Sequence, residues 1–565
     1  YTTESTLRAE EAILAASRQR DGRKLSPTQV AQQASGVTLN RGQAAMVQEI
    51  ATSGARVQLV LAPAGSGKTT AMGAFTKAWQ ASGGTLVGLA PSAVAAGELG
   101  AATGMYSDTI ASMLLGLRCG SEKTKAAWLE RLGPSTMVVV DEAGMASTQD
   151  LAGVVQLALS RGASVRLVGD DQQIASVQAG GVLRDLATEV GAVSLSELMR
   201  FADPAEASAT LAVRDGEHSA LGFYLDRQRV HVGDSGALAR EVVEAWTADR
   251  QAGKDSIMLA STIETVNEMN AMARAHRLAE AGEPDAQVQL RSGLHASAGD
   301  VIVTRRNDRT NRLSKTDWVK NGDRWLVQSV GDDGSLQVLH LGSGKRAELD
   351  ADYVAGKADL GYATTIHGAQ GVTADTTHTL LTGSESRQLL YVATSRGRVA
   401  NHVYLSTSGD GDEHNVLHPD HVAPLTATDI LERVLDRDGS QRSARTEMRE
   451  ANEAAIRLAK ATAVYVDAAD VAIASVLGAE YMAKLEADAE AGLPGVTDSP
   501  AWDALKARMA RLALADPAAD PVAAMKAAAG GRELDTAHDV AAVLHWRLGP
   551  MPGDDNGPLP WVPGV

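Results

Sequence analysis

Cysteine is nearly absent, with Cys119 alone among 565 residues. One thiol closes no internal disulfide and builds neither a cysteine zinc cluster nor an iron-sulfur site, so a reducing, cytoplasmic setting is expected. Long apolar runs are missing too. No uninterrupted stretch approaches the roughly 20 residues of a membrane helix, and the start YTTESTLRAEE is polar and acidic, unlike a signal peptide. A soluble protein without membrane insertion is expected. Basic excess is also lacking, since 53 Lys and Arg face 70 Asp and Glu for a net charge of -17. That balance disfavours a surface basic all over, but it does not exclude nucleic-acid binding, which needs only a local basic groove that net charge does not report. The opening at Tyr1 rather than Met gives the chain the look of an excised segment.

What is present is ordinary for a globular protein: 44% hydrophobic and 22% charged residues. At ~100 to 200 residues per domain, the length implies three to four packed units. From Val57 onward, short aliphatic runs alternate with Ala-rich helical stretches. VQLVLA, TLVGLA, TMVVVDEA and SVRLVGD each lead into a loop, as in a parallel sheet covered by helices. A second set begins at SIMLAS and resumes at GYATTIHGAQG and NHVYLSTS. Between them, VIVTRRND, RWLVQSV and SLQVLHL with the turns GDDGS and GSGK read as a small antiparallel barrel. Charged, Ala-rich amphipathic patterns follow Pro424 and predict a helical appendage, with the Pro/Gly-rich end extended.

The segment VQLVLAPAGSGKTTAMGAF runs from a strand through a Gly-rich loop into a helix. Amides around Gly65, Ser66 and Gly67 can face phosphate oxygens at a helix N-terminus. Lys68 would hold the β and γ phosphates and Thr69 would bind Mg²⁺, although Ala62 replaces the first glycine of G-x-x-x-x-G-K-[ST]. Asp141 and Glu142 end the run MVVV, where a parallel strand delivers them beside that loop. Asp141 can hold hydrated Mg²⁺ and Glu142 can polarise the attacking water, which is hydrolysis rather than storage. In LVGDDQQ, again at a strand end, Asp170 and Gln173 follow, and an amide at Gln173 could sense the γ phosphate. The cluster Arg305, Arg306, Arg309, Arg312 and Lys315, with Trp318 and Trp325, suits a tracked single strand. It reads equally as a solvated hairpin over core tryptophans.

Taken in order, LNRGQAAMV, APAGSGKTT, LAPSAVAA, VVVDEAGMAS, LVGDDQQIASV, LSELMRF, YATTIHGAQGVT and LLYVATSRGR resemble the motifs of superfamily 1B, RecD-like helicases. The chain is most similar to the helicase part of conjugative relaxase-helicases of the TraI/TrwC type. These stretches span about residues 39 to 405. The resemblance implies an α/β fold of two RecA-like P-loop NTPase domains, a small inserted SH3-like β-barrel and a helical C-terminal appendage. It implies a junction at 1–38 and domain 1A at 39–200 with a small 1B insertion at about 101–132. Domain 2A then covers 201–289 and 359–420, barrel 2B covers 290–358 and the helical region covers 421–565. By position it gives Gln43 to adenine, Ala64 through Thr70 and Gly371 to the nucleotide, and Arg200 and Arg396 to arginine fingers. Ser92, Thr109, Thr365, His367 and Gln370 go to DNA, with His367 equally readable as structural.

The implied activity is ATP-driven, Mg²⁺-dependent movement on single-stranded DNA toward duplex junctions, 5′ to 3′, during plasmid transfer. The implied partners are an upstream relaxase domain in the parent chain and a type IV secretion coupling protein. The tyrosine and histidine cluster of a relaxase is not evident, so this segment is not expected to nick DNA. Alternatives are a stand-alone RecD-like repair helicase and a DNA-binding loading or scaffold module without unwinding. A small-molecule kinase is disfavoured by GAQG and TSRGR.

Overall fold

The computed structural model describes residues 3–33, 36–173, 181–195, 198–314, 317–406 and 426–549, the last range without 532, 533, 535, 536 and 538. The chain divides into two compact units, residues 1–446 and 447–565.

The first half of the larger unit is built on six strands: β1 (Val57–Leu61), β2 (Thr85–Ala90), β3 (Tyr106–Thr109), β4 (Thr136–Val140), β5 (Ser164–Gly169) and β6 (Val193–Ser194). They lie in the order β3-β2-β4-β5-β1-β6, with every neighbouring pair parallel. β4 and β5 are buried along their whole length. A sheet with helices on both faces requires this, and it explains why MVVV reads as a continuous apolar run rather than an alternating one. β5 separates β1 from β4, so the loops leaving the carboxyl ends of β1, β4 and β5 emerge side by side. That crevice is where open α/β sheets bind ligands.

The stretch 101–132 adds no separate layer. It supplies β3 to the sheet edge, followed by the helices Ile110–Cys119 and Glu122–Glu130. Ile110, Met113 and Trp128 join the sheet's own core, as do Ile13 and Leu14 of the leading helix Glu4–Ser17.

The second half begins with the helix Pro204–Asp215, which packs on the second sheet, and its first strands are β7 (Val230–Gly233) and β8 (Ser256–Ala260). An excursion follows, comprising β9 (Gln287–Gln289), β10 (His295–Ser297), β11 (Val301–Thr304), β12 (Asp308–Arg312) and β13 (Trp318–Val319), then β14 (Arg324–Val330), β15 (Leu336–His340), β16 (Arg346–Leu349) and β17 (Ala358–Leu360). The chain returns through β18 (Ala363–Thr365), β19 (Ala374–Leu381) and β20 (Gly397–Ser406). The returning strands close a parallel sheet, β18-β8-β19-β20-β7. The excursion folds as an antiparallel sheet, β16-β15-β14-β11-β17, with two short ladders beside it. Trp325 is fully buried in a core shared with Met258 and Ala260 of β8, so this tryptophan is structural.

The smaller unit is helical. Leu485 and Ala489 of the helix Ala479–Gly492 pack with Trp502, Leu505 and Met509 of the helix Trp502–Ala515, and with Met525 and Leu544. The terminal run after Gly549 lies outside the described residues. Among the described residues, no single helix is long and apolar enough to cross a membrane.

Arg166, at the middle of β5, is fully buried and makes no carboxylate pair among the described residues. Its guanidinium donates instead to the carbonyls of Ile50 (2.8 Å), Ala55 (2.9 Å) and Val165 (3.1 Å). Ile50 lies in the last turn of the helix Arg41–Thr52, where carbonyls lack intrahelical partners and carry the negative end of the helix dipole. Burial and nearby Arg20 pull its pKa down to about 9. Truncation would leave several buried carbonyls unsatisfied beside a void. Arg166→Ala is therefore expected to cost ~3 kcal/mol in urea unfolding, and a loss under ~0.5 kcal/mol would show those bonds to be dispensable.

Candidate nucleotide site and DNA-facing residues

The loop after β1 turns sharply because Gly65 and Gly67 take left-handed φ values of 83° and 74°. A side chain is also excluded sterically. A Cβ on Gly65 would lie 2.6 Å from the Cβ of Arg200, and one on Gly67 would lie 2.2 Å from Nε2 of Gln43. The helix Lys68–Ala81 starts directly at the loop, so its first amides and its positive dipole end face the crevice.

Lys68 reaches across to the end of β4, with Nζ 2.6 Å from Asp141 Oδ1 and 2.8 Å from Glu142 Oε1. Burial alone would push the ammonium pKa down, but the two carboxylates outweigh burial and hold it above the ordinary lysine value. Lys68 in turn pulls Glu142 below the usual carboxylate range against the opposing effect of burial, with Arg396 and Arg200 assisting. Glu142 sits at φ 50° and ψ 41°, a left-handed conformation that an L side chain seldom adopts. Only Gln228 shares it among the described non-glycine residues, and strain of this kind persists where the surroundings impose it. A third carboxylate, Glu98, faces the same space, and burial together with Glu142 and Asp141 raises its pKa.

These groups line a cleft of about 500 Å³. Of the residues expected from sequence, the structure brings to it Ala64, Gly65, Gly67, Lys68, Thr69, Ser92, Asp141, Glu142, Gln173, Arg200, Gln370, Gly371 and Arg396. Ser66 is buried beneath the loop, and Thr70 is exposed beside it.

Gln43 lies under the loop and is almost fully buried. Its Nε2 donates to the carbonyls of Ser66 (3.3 Å) and Gly67 (3.4 Å), while its Oε1 accepts from the amide of Asn40 (3.1 Å). The Asn40 contact is one half of a capping box on the helix Arg41–Thr52, whose other half is the backbone amide of Gln43 donating to Asn40 Oδ1 (2.8 Å). In this arrangement the side-chain amide braces the phosphate loop. Arg200 donates to the carbonyl of Ser395 (2.8 Å). Arg396 is fully buried and donates to the Val392 carbonyl (3.1 Å) and to Ser395 Oγ (2.7 Å). Burial, then Arg200, brings its pKa down to about 10. Neither arginine makes an ion pair among the described residues.

Two contributors were assigned no role from sequence, although Tyr391 lies within the stretch LLYVATSRGR. Tyr391, fully buried on the helix Arg387–Thr394, donates to Asp170 Oδ2 (2.9 Å) and accepts from the amide of Ala64 (3.1 Å). Arg214, at the end of the helix Pro204–Asp215, grips Asp170 Oδ1 (3.0 Å) and Asp171 Oδ1 (2.9 Å). Gln370 donates to Gln173 Oε1 (3.3 Å). Each of these bonds joins a strand end of the first sheet to an element of the second half.

The residues expected to touch DNA are more scattered. The hydroxyl of Ser92 caps the helix Ala93–Thr103, that of Thr109 caps the helix Ile110–Cys119, and that of Thr365 accepts from the amide of Gly368. An accepting hydroxyl keeps its own proton for an outside oxygen. All three sit at carboxyl ends of parallel strands or just beyond them, and His367 is exposed next to Thr365. Arg305 is engaged inside the protein, 3.0 Å from an Asp359 that also meets Arg291 at 2.6 Å. Arg306 is exposed, and its carbonyl accepts from Tyr353. Arg309 lies 4.8 Å above the Trp318 ring and 3.4 Å from Asp108, while Lys315 falls outside the described residues.

An AAA domain model matches residues 38–235. The conjugal transfer protein TraA of Rhizobium radiobacter is 31% identical over 419 residues, covering 72% of this chain and 36% of TraA. The RecBCD subunit RecD of Mycolicibacterium smegmatis is 27% identical over 318 residues, covering 52% of this chain and 54% of RecD. The chain is thus similar to conjugal transfer proteins and to RecD helicases. It spans about a third of the TraA length. A solved Bacteroides Pif1 helicase in complex with ADP-AlF3 and ssDNA aligns over 72% of this chain and 99% of that chain, at 18% identity and a TM-score of 0.44.

The Gln43 contacts lead to a specific expectation. Gln43→Ala removes two bonds to the loop carbonyls, so it should weaken ATP and GTP alike, by about tenfold in a direct binding titration. Weakening confined to ATP would instead assign the amide to the adenine ring.

Proposed function

We propose that the chain is an ATP-driven motor that moves on single-stranded DNA, 5′ to 3′, and opens duplex at the junction ahead. It would work inside a longer cytoplasmic relaxase-helicase during conjugative transfer, with an upstream relaxase domain in the same chain and a type IV secretion coupling protein as its partner. The observation that carries this reading is the pair Arg200 and Arg396. Two guanidiniums without carboxylate partners among the described residues lie against the cleft that holds Lys68, Asp141 and Glu142. A phosphoryl group in transfer spreads negative charge over its oxygens, and positive groups approaching from a second body stabilise it only when the cleft is closed. Turnover and relative movement of the two halves are thereby linked.

Gln173, bonded to Gln370 across the cleft, is suited to signal loss of the γ phosphate to the second sheet. The donors Thr69 and Asp141 are hard oxygens that suit Mg²⁺, and no cluster of three or more His, Cys, Asp or Glu competes for a metal among the described residues. When bound, Mg²⁺ supplies charge neutralisation between the phosphates. Glu142, kept ionised by Lys68, is placed to orient water for in-line attack.

We read the antiparallel excursion as an SH3-like barrel, 2B, carried by domain 2A, with domain 1A preceding them. Arg306 and the Arg309–Trp318 pair offer charge and a stacking face to a strand that passes Ser92, Thr109, Thr365 and His367.

ATP turnover of the wild type should rise on adding single-stranded DNA, and Lys68→Ala should abolish both basal and stimulated rates. DNA binding without turnover in the wild type would favour the scaffold reading.

A further inference from the structure

Tyr391 lies on the second half of the larger unit, yet both of its polar contacts are on the first. A phenol hydroxyl offers one proton and accepting lone pairs, and here both capacities are used. It donates to Asp170 Oδ2 at 2.9 Å and accepts from the Ala64 amide at 3.1 Å. Ala64 belongs to the phosphate loop, and Asp170 directly follows β5, which lies between β1 and β4. Burial, then the Asp170 charge, raises the phenol pKa well above its ordinary value, so the proton stays on the hydroxyl.

The other oxygen of Asp170 is held by Arg214. Arg214 and Tyr391 belong to helices that share one core through Val213 and Leu390. Arg396 lies two residues beyond the tyrosine's helix and donates to its Val392 carbonyl, so a displacement of that helix carries the guanidinium with it. One hydroxyl therefore stands between the loop that receives phosphate and the helix that holds the arginine.

We propose that Tyr391 is a positioning residue for ATP hydrolysis. By bridging the Ala64 amide and Asp170, its hydroxyl sets the placement in which Arg396 meets the transferring phosphoryl group. The inference rests on the motor reading above. It predicts a loss in turnover rather than in nucleotide binding, because misplacement of a transition-state group lowers kcat while ground-state contacts persist.

The test compares four full-length proteins: wild type, Tyr391→Phe, Asp170→Asn and the double variant. Phenylalanine keeps the buried ring and removes only the hydroxyl. With saturating single-stranded DNA, Tyr391→Phe should lower kcat on the order of tenfold or more, while KM for ATP and the affinity for a fluorescent ATP analogue stay within about twofold. Its thermal midpoint should stay near that of the wild type. The double variant should be no slower than the slower single variant, since both changes cut one link. Wild-type kcat in Tyr391→Phe, additive losses in the double variant, or a kcat loss accompanied by an equal loss of ATP affinity or of thermal stability would each overturn the inference. A wild type without DNA-stimulated turnover would overturn the motor reading itself and this inference with it. A stimulated wild type beside an unaffected Tyr391→Phe sinks this inference alone.

Discussion

Positive charge without a carboxylate partner is costly to bury, and the nucleotide cleft keeps two such charges. Arg396 is fully buried among the neutral oxygens of Val392 and Ser395, with Arg200 near enough to depress its pKa further. Each fold element around the cleft bears on that arrangement. The helix Arg387–Thr394 fixes the Val392 carbonyl, and Ser395 also receives Arg200 through its own carbonyl. Glu142 supplies compensating negative charge, yet Lys68 already engages that carboxylate directly. A site balanced in this way favours an arriving polyanion, and the favour is greatest when negative charge develops nearest the guanidiniums.

Parallel topology makes the arrangement possible. The ends of β1, β5 and β4 are adjacent, so residues about a hundred positions apart in the chain meet at one crevice. The second sheet has the same all-parallel plan, and its elements provide Gln370, Tyr391 and Arg396. Their bonds to Gln173, to Ala64 and to Asp170 cross from one half to the other. The bond to Asp170 is buried, whereas those to Ala64 and Gln173 are only partly so.

Much of this was readable from sequence wherever the information is local. The run MVVV reads as a buried strand because its apolar residues are contiguous, and GSGKT reads as a phosphate loop because strand, glycines and helix follow within a dozen residues. The contacts of Tyr391 and Arg214 were not readable, although Tyr391 falls within LLYVATSRGR. Their roles depend on Ala64 and Asp170, which lie far away along the chain and come close only through tertiary packing. Arg305 shows the opposite case. Within TRRNDRTNR it reads as free positive charge, but Asp359, 54 positions later, accounts for it once β11 and β17 pair. The stretch 101–132 likewise reads as an insertion, whereas β3 pairs with β2 and so becomes an edge of the main sheet.

The most direct test of the account is the single-turnover rate of ATP hydrolysis by Arg396→Lys on single-stranded DNA. Lysine keeps the charge and loses the planar fork that the buried oxygens hold in place. A rate reduced by roughly a hundredfold or more, with ATP and DNA affinity nearly unchanged, is the predicted result. A rate close to that of the wild type would contradict the view that this buried guanidinium stabilises the transferring phosphoryl group.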